Sequence, residues 1–202
     1  MIPQFDVPTI VDVDLDLIHL PPKGIIHVKD GLMSNHFYSY LGPIGWKRFE
    51  EAFRAEGQAL DSIASRATTH DEFEQIAGEV EEVLRFEEFD DSDGLDLGII
   101  SPVFALYAFK CFPFTSCRGH PGHVGDTEDC PKVVFFAPPE RGPQLVQAAI
   151  KTGVGLVNDT TPEGTALLVN SRNLLDMRTF SMELHRTAQS LSRRKPQLEL
   201  DG

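Results

Sequence analysis

Thiol and imidazole side chains are concentrated in one stretch of this chain, Cys111-Phe-Pro-Phe-Thr-Ser-Cys117-Arg-Gly-His120-Pro-Gly-His123-Val-Gly-Asp-Thr-Glu-Asp-Cys130. All three cysteines of the chain lie in it, with two of the seven histidines. These are the side chains best suited to bind a transition metal, or to act as nucleophile and base near neutral pH. A structural zinc ion takes four deprotonated sulfur or nitrogen ligands in a tetrahedron, usually as two closely spaced pairs. Cys117 with His120, and His123 with Cys130, form such pairs, leaving Cys111 as a spare. Pro113, Gly119, Pro121, Gly122 and Gly125 would let the backbone wrap around an ion.

A second chemistry is open to the same residues. Thr115-Ser116-Cys117-Arg118-Gly119 leaves a predicted short strand, and its hydroxyls, backbone N–H groups and Arg118 suit a phosphate or carboxylate. Ser116, Arg118 and Gly119 would bind the anion. Cys117 would be a nucleophile made acidic by Arg118 and protonated His120, with His120 and His123 as acid/base or orienting groups. The third alternative is packing alone, since free cysteine is commonly a small buried hydrophobe. Cys111, at the end of an apolar segment, is expected to be core.

The surrounding patterns predict the elements that position this loop. Val11 to Leu17 alternates apolar and acidic residues and reads as a half-buried strand that pairs with residues 24–28 across a Pro21-Pro22 turn. Asp12, Asp14 and Asp16 on its other face read as solvated charge, with Mg²⁺ or Ca²⁺ binding as the lesser alternative. From Gly45 the period becomes helical through Trp46, Phe49, Phe53, Leu60 and Ile63, with a bend expected at Gly57. A capping box at Thr69 and Glu72 opens a second helix. The acidic run from Glu87 to Gly94 then separates a region 1–94 from a region 95–195, with 196–202 as a tail.

In that second region, Leu95 to Lys110 reads as a buried helix with Pro102 near its start, and Lys132 to Ala137 as a core strand. Gly142 to Thr152 reads as a helix burying Leu145, Val146, Ala149 and Ile150 and stopping at Gly153. A hairpin over 155–158 and 165–170 follows, then an amphipathic helix through Leu174, Met177, Phe180, Leu184, Ala188 and Leu191. The fold class expected is α+β, a two-layer sandwich with helices over a small mixed sheet. His36 to Tyr40 forms an aromatic-polar patch expected to pack against a helix.

Composition narrows the partners. With 202 residues, 41% hydrophobic content and fourteen phenylalanines, the chain can bury a core. No window has the apolar length of a membrane span, the first residues lack signal-peptide character, and three cysteines suit no complete disulfide framework, so a cytoplasmic location is expected. A net charge of −13 disfavours nucleic acid and anionic membrane and favours protein partners or small ligands. Sixteen of the 31 acidic residues lie between Glu50 and Asp96. The run from Glu81 to Asp93 reads as a solvated acidic face that could also dock a basic partner, and the acidic N-terminal region is the expected surface for a protein partner.

Thr115-Ser116-Cys117-Arg118-Gly119, followed by a core strand, a helix and a Gly-Val-Gly-Leu-Val-Asn hairpin, resembles the Ser-Cys-x-Gly loop and following βαββ of the tRNA wybutosine-synthesising methyltransferase family over about residues 112–170. The resemblance implies a small α/β fold, S-adenosylmethionine as cofactor and a guanine-derived tRNA base as substrate, with Ser116 and Cys117 in the signature loop. Two functions stand side by side. One is a Cys/His loop holding zinc or a small anion and acting with a protein partner. The other is a Cys117-dependent group-transfer or hydrolytic enzyme, with a modification enzyme acting on nucleic acid as one form.

Overall fold

The change of hydrophobic period at Gly45 becomes helix α1 (Trp46–Arg66), whose Phe49, Ala52, Glu56, Leu60 and Ile63 recur at helical spacing and are all buried. Gly57 does not interrupt it. A Cβ at Gly57 would lie 2.6 Å from Nη2 of Arg178, so glycine is what lets that guanidinium pass close to the helix. Coordinates come from a computed structural model that describes residues 1–20, 44–87, 95–119, 130–162 and 164–194, with the side chains of 83–87 and 194 also outside the description. The expected strand at 24–28, the aromatic patch at 36–40 and most of the acidic loop at 87–94 lie outside the described residues.

Helix α2 (His70–Glu87) starts at the capping box read from the sequence. The Thr69 hydroxyl accepts the Glu72 N–H at 3.2 Å, and the Glu72 carboxylate accepts the N–H groups of Thr68 at 2.7 Å and Thr69 at 3.2 Å. The apolar run 95–110 is helical over only part of its length, as α3 (Ile100–Ala108). Pro102 is in its first turn, where a missing N–H costs no helical hydrogen bond. Helices α4 (Gly142–Thr152) and α5 (Leu174–Arg194) fall where periodicity puts them.

Strands β1 (Val11–Asp12), β2 (Phe112–Cys117), β3 (Lys132–Phe136), β4 (Gly155–Thr161) and β5 (Gly164–Asn170) form a mixed sheet in the order β1-β4-β5-β3-β2. Among the described residues five α-helices and this sheet make an α+β fold, and only the β1–β4 pair is parallel, through Val11 opposite Leu156. Period-two alternation puts Val133, Phe135, Leu167 and Val169 on the face that joins α1, α3, α4 and α5 in one apolar cluster. Fully burying a phenylalanine such as Phe135 contributes roughly 1.5–3 kcal/mol. Val134, Phe136 and Ala166 pack on the other face with Phe112, Phe114 and Leu168. The main cluster draws residues from both sides of position 94, among them Phe49 and Ile63 as well as Phe104 and Phe180.

Two further expectations are corrected. The alternating Val11 to Leu17 is strand only at Val11–Asp12 and then turns into a 3-10 segment, Leu15–Leu17. There the Asp14 carboxylate accepts the Asp16 N–H at 3.0 Å, and the Asp14 N–H goes to the Asn158 side chain at 2.6 Å. Local side-chain bonds have displaced the ladder, and Leu15 and Leu17 end up 43% and 46% exposed. In α4 the inward residues are Leu145, Ala148 and Ala149, while Ile150 is 65% exposed, one 100° step past the buried stripe.

Candidate functional site

The loop cysteines are placed by the β2–β3 pairing, in which Cys117 stands opposite Lys132. Continuing that register puts Gly119 opposite Cys130, and the two are in contact. A Cβ on Gly119 would meet the carbonyl carbon of Cys130 at 2.7 Å and its Cα at 2.8 Å. With φ at +83°, Gly119 also adopts the left-handed backbone that side-chain-bearing residues avoid. Glycine here thus closes the base of the 120–129 span. His120 and His123, expected as metal ligands or acid/base groups, belong to that span and lie outside the described residues.

Cys117 is buried at the end of β2, and its Sγ accepts the Gly119 N–H at 3.3 Å. Cys130 is half-buried two residues before β3. Cys111 precedes β2 at its opposite end, six residues or about 20 Å from Cys117 along an extended strand. It is 1% exposed, and burial pushes its thiol well up, far outweighing the nearby Arg141. Its assignment to the core agrees with this placement, and it is no spare ligand for the loop.

Arg118, expected to face an anionic ligand, turns inward instead. Its side chain is 8% exposed, and the guanidinium pairs with Glu81 through Nη1 and with Glu74 through Nη2 at 2.6 Å and Nε at 3.2 Å. Burial alone would weaken its charge, but Glu81, Glu74 and Asp96 outweigh that and raise its pKa further. Its backbone N–H donates to Asp96 Oδ2 at 3.1 Å. The donors that an anion cradle would need at Arg118 and Gly119 are therefore engaged within the protein. Ser116 is half-buried, in register with Val133.

Glu81 was expected on a solvated acidic face. Its side chain is only 13% exposed, and besides Arg118 it accepts the Leu97 N–H at 2.6 Å. Glu74 and Glu81 are seven residues apart on α2 and so share a face, a spacing that could have drawn attention to them. Among the described residues no group of three or more His, Cys, Asp or Glu is arranged to hold a metal ion. The Asp12, Asp14 and Asp16 alternative gains nothing, since Asp14 is used as a cap.

A second buried polar cluster was also missed. Glu56, 1% exposed, accepts the N–H groups of Gly98 at 2.8 Å and Ser101 at 3.2 Å, the Ser101 hydroxyl, and Arg178 Nη1 at 3.0 Å. Its signal was present in the sequence as a carboxylate on the apolar stripe of α1. No protein-family model, curated protein or solved structure matches the chain. The wybutosine resemblance thus rests on the residues quoted for it. No helix among the described residues is long and apolar enough to cross a membrane.

Proposed function

We propose that this chain is a metal-binding α+β protein in which Cys117, His120, His123 and Cys130 hold a zinc ion at the end of the β2–β3 pair. The observation that carries this reading is the Gly119–Cys130 contact, which sets two thiol-bearing strand ends at the root of the ten residues containing both histidines. Thiolate and imidazole are the donors zinc prefers. The small-anion version is less well supported, because Arg118 is engaged by Glu74 and Glu81. The acidic outer face of α2, including exposed Asp71, Glu79 and Glu82, is the surface proposed for a basic protein partner.

Metal analysis of protein never exposed to chelator tests the reading. A structural site predicts about one equivalent of zinc, lowered in Cys117→Ser and Cys130→Ser but not in Cys111→Ser. Less than about a tenth of an equivalent would overturn it. The enzyme alternative has one observation in its favour, the Gly119 N–H donated to Cys117 Sγ at 3.3 Å. In that case Cys117→Ala abolishes turnover at an unchanged melting temperature. S-adenosylmethionine belongs only to that alternative.

A further inference from the structure

We propose that Cys117 and Cys130 are a redox pair, closed into a disulfide by a peroxide across the base of the 120–129 span. Geometry supports the pairing. Cys117 is opposite Lys132, and Cys130 lies two residues before Lys132, just outside β3; continuing the ladder register to that position makes the two cysteines diagonal neighbours on one side of the strand pair, in keeping with the Gly119–Cys130 contact. Diagonal positions in an antiparallel ladder are about 7–8 Å apart at Cα and closer at Cβ. A disulfide needs Cα atoms within about 6.8 Å. The gap to close is therefore about 1 Å. At this end of the ladder the strands already approach closely, because Gly119 offers no Cβ to the Cys130 backbone.

The cysteines differ in the way such a pair requires. Cys130 is the more open and meets the oxidant first, while Cys117 is buried next to it and resolves the product. The Cys130 thiolate attacks a peroxide oxygen and the O–O bond breaks. This leaves a sulfenic acid and a hydroxide, which takes up the thiol proton to become water. Cys117 Sγ then attacks Cys130 Sγ, forming the S–S bond as the S–O bond breaks, and the departing hydroxide joins the Cys117 proton as a second water. Two thiols lose two electrons and one peroxide is reduced to two waters. Cys111, buried and about 20 Å along the strand, stays out of the reaction and serves as the internal control.

The disulfide stands on the strand geometry. Its consequence for metal, release of the zinc as both thiolates are consumed, rests on the function proposed above. The test treats chelator-stripped full-length chain with hydrogen peroxide, alkylates it in denaturant and maps the peptides by mass. A Cys117–Cys130 linkage, with Cys111 fully alkylated and reversal by dithiothreitol, is the expected result. A link involving Cys111, a link between chains, or stable sulfinic acid on Cys130 with Cys117 alkylated would overturn the proposal. In Cys117→Ser the same treatment carries Cys130 on to sulfinic acid, whereas a reducible disulfide within that chain would also overturn it. Protein purified without zinc that still links Cys117 to Cys130 keeps this inference and removes the metal reading. Zinc-loaded protein that never forms the link, even after stripping, does the reverse.

Discussion

Arg118, buried, and Arg178, half-buried, are both paired with carboxylates, and in each case the carboxylate also accepts backbone N–H groups from residues 97–101. Glu56 joins Arg178 of α5 to the Gly98 and Ser101 N–H groups at the start of α3. Glu81 joins Arg118 at the end of β2 to the Leu97 N–H. The surroundings differ. Arg178 lies 3.9 Å over the Phe53 ring, donates to the Phe53 carbonyl at 2.9 Å and meets a carboxylate with no exposed surface. Arg118 meets one carboxylate, Glu74, that is 29% exposed. The same device therefore locks the helical core in one place and moors the loop root to α2 in the other. How dry each site is decides how much its loss costs.

Breaking the drier cluster should have the largest effect. Arg178→Ala leaves Glu56 buried without its counter-charge and is expected to lower unfolding stability by about 3–5 kcal/mol in urea titrations. A loss no larger than that of Arg118→Ala would mean that water replaces the arginine and that the two clusters are alike. Arg118→Ala should cost less, about 2 kcal/mol, because Glu74 can turn to solvent. Its effect should also be local. Amide exchange should accelerate at the facing ends of β2 and β3, with α1, α3 and α5 unchanged, whereas uniform acceleration would erase the distinction drawn here.

Gly119→Ala comes next, at about 1–3 kcal/mol, since it adds a strained backbone and a clash with Cys130. It should also slow disulfide closure between Cys117 and Cys130, and an unchanged rate would mean that the close approach is unimportant. The smallest effect belongs to the exposed cap of α2. The Thr68 hydroxyl first, and then the Thr68 and Thr69 N–H groups, hold Glu72 below its ordinary pKa of 4.5. A depressed carboxylate stabilises the fold above its unfolded pKa and loses that contribution as pH falls through the lower folded value. Thermal melts of wild type and Glu72→Ala should therefore differ at pH 7 and converge in acid. An equal difference at both pH values would exclude a carboxylate cap.

Much of the fold was legible because it depends on short-range periodicity. Helices α1, α2, α4 and α5, the β4–β5 hairpin and the capping box at Thr69 follow from patterns spanning a few turns. The candidate site was legible only as a composition. Its thiols and imidazoles could be named, but Arg118 was assigned to a ligand because the carboxylates that capture it lie 37 and 44 residues earlier in the chain. Ile150 was misplaced because a 3.6-residue period read from four apolar positions leaves the edge of the buried stripe uncertain by one residue.

By itself the sequence determined the α+β class, most helix limits, the core role of Cys111 and the one segment where thiol and imidazole chemistry is concentrated. Only the tertiary structure decided the parallel pairing of β1 with β4, the inward turn of Glu56, Glu81 and Arg118, and the meeting of Gly119 with Cys130. The physical reason is the same in each case. A charged or hydrogen-bonding group is stable in the interior only beside its partner, and the partners here come from distant parts of the chain.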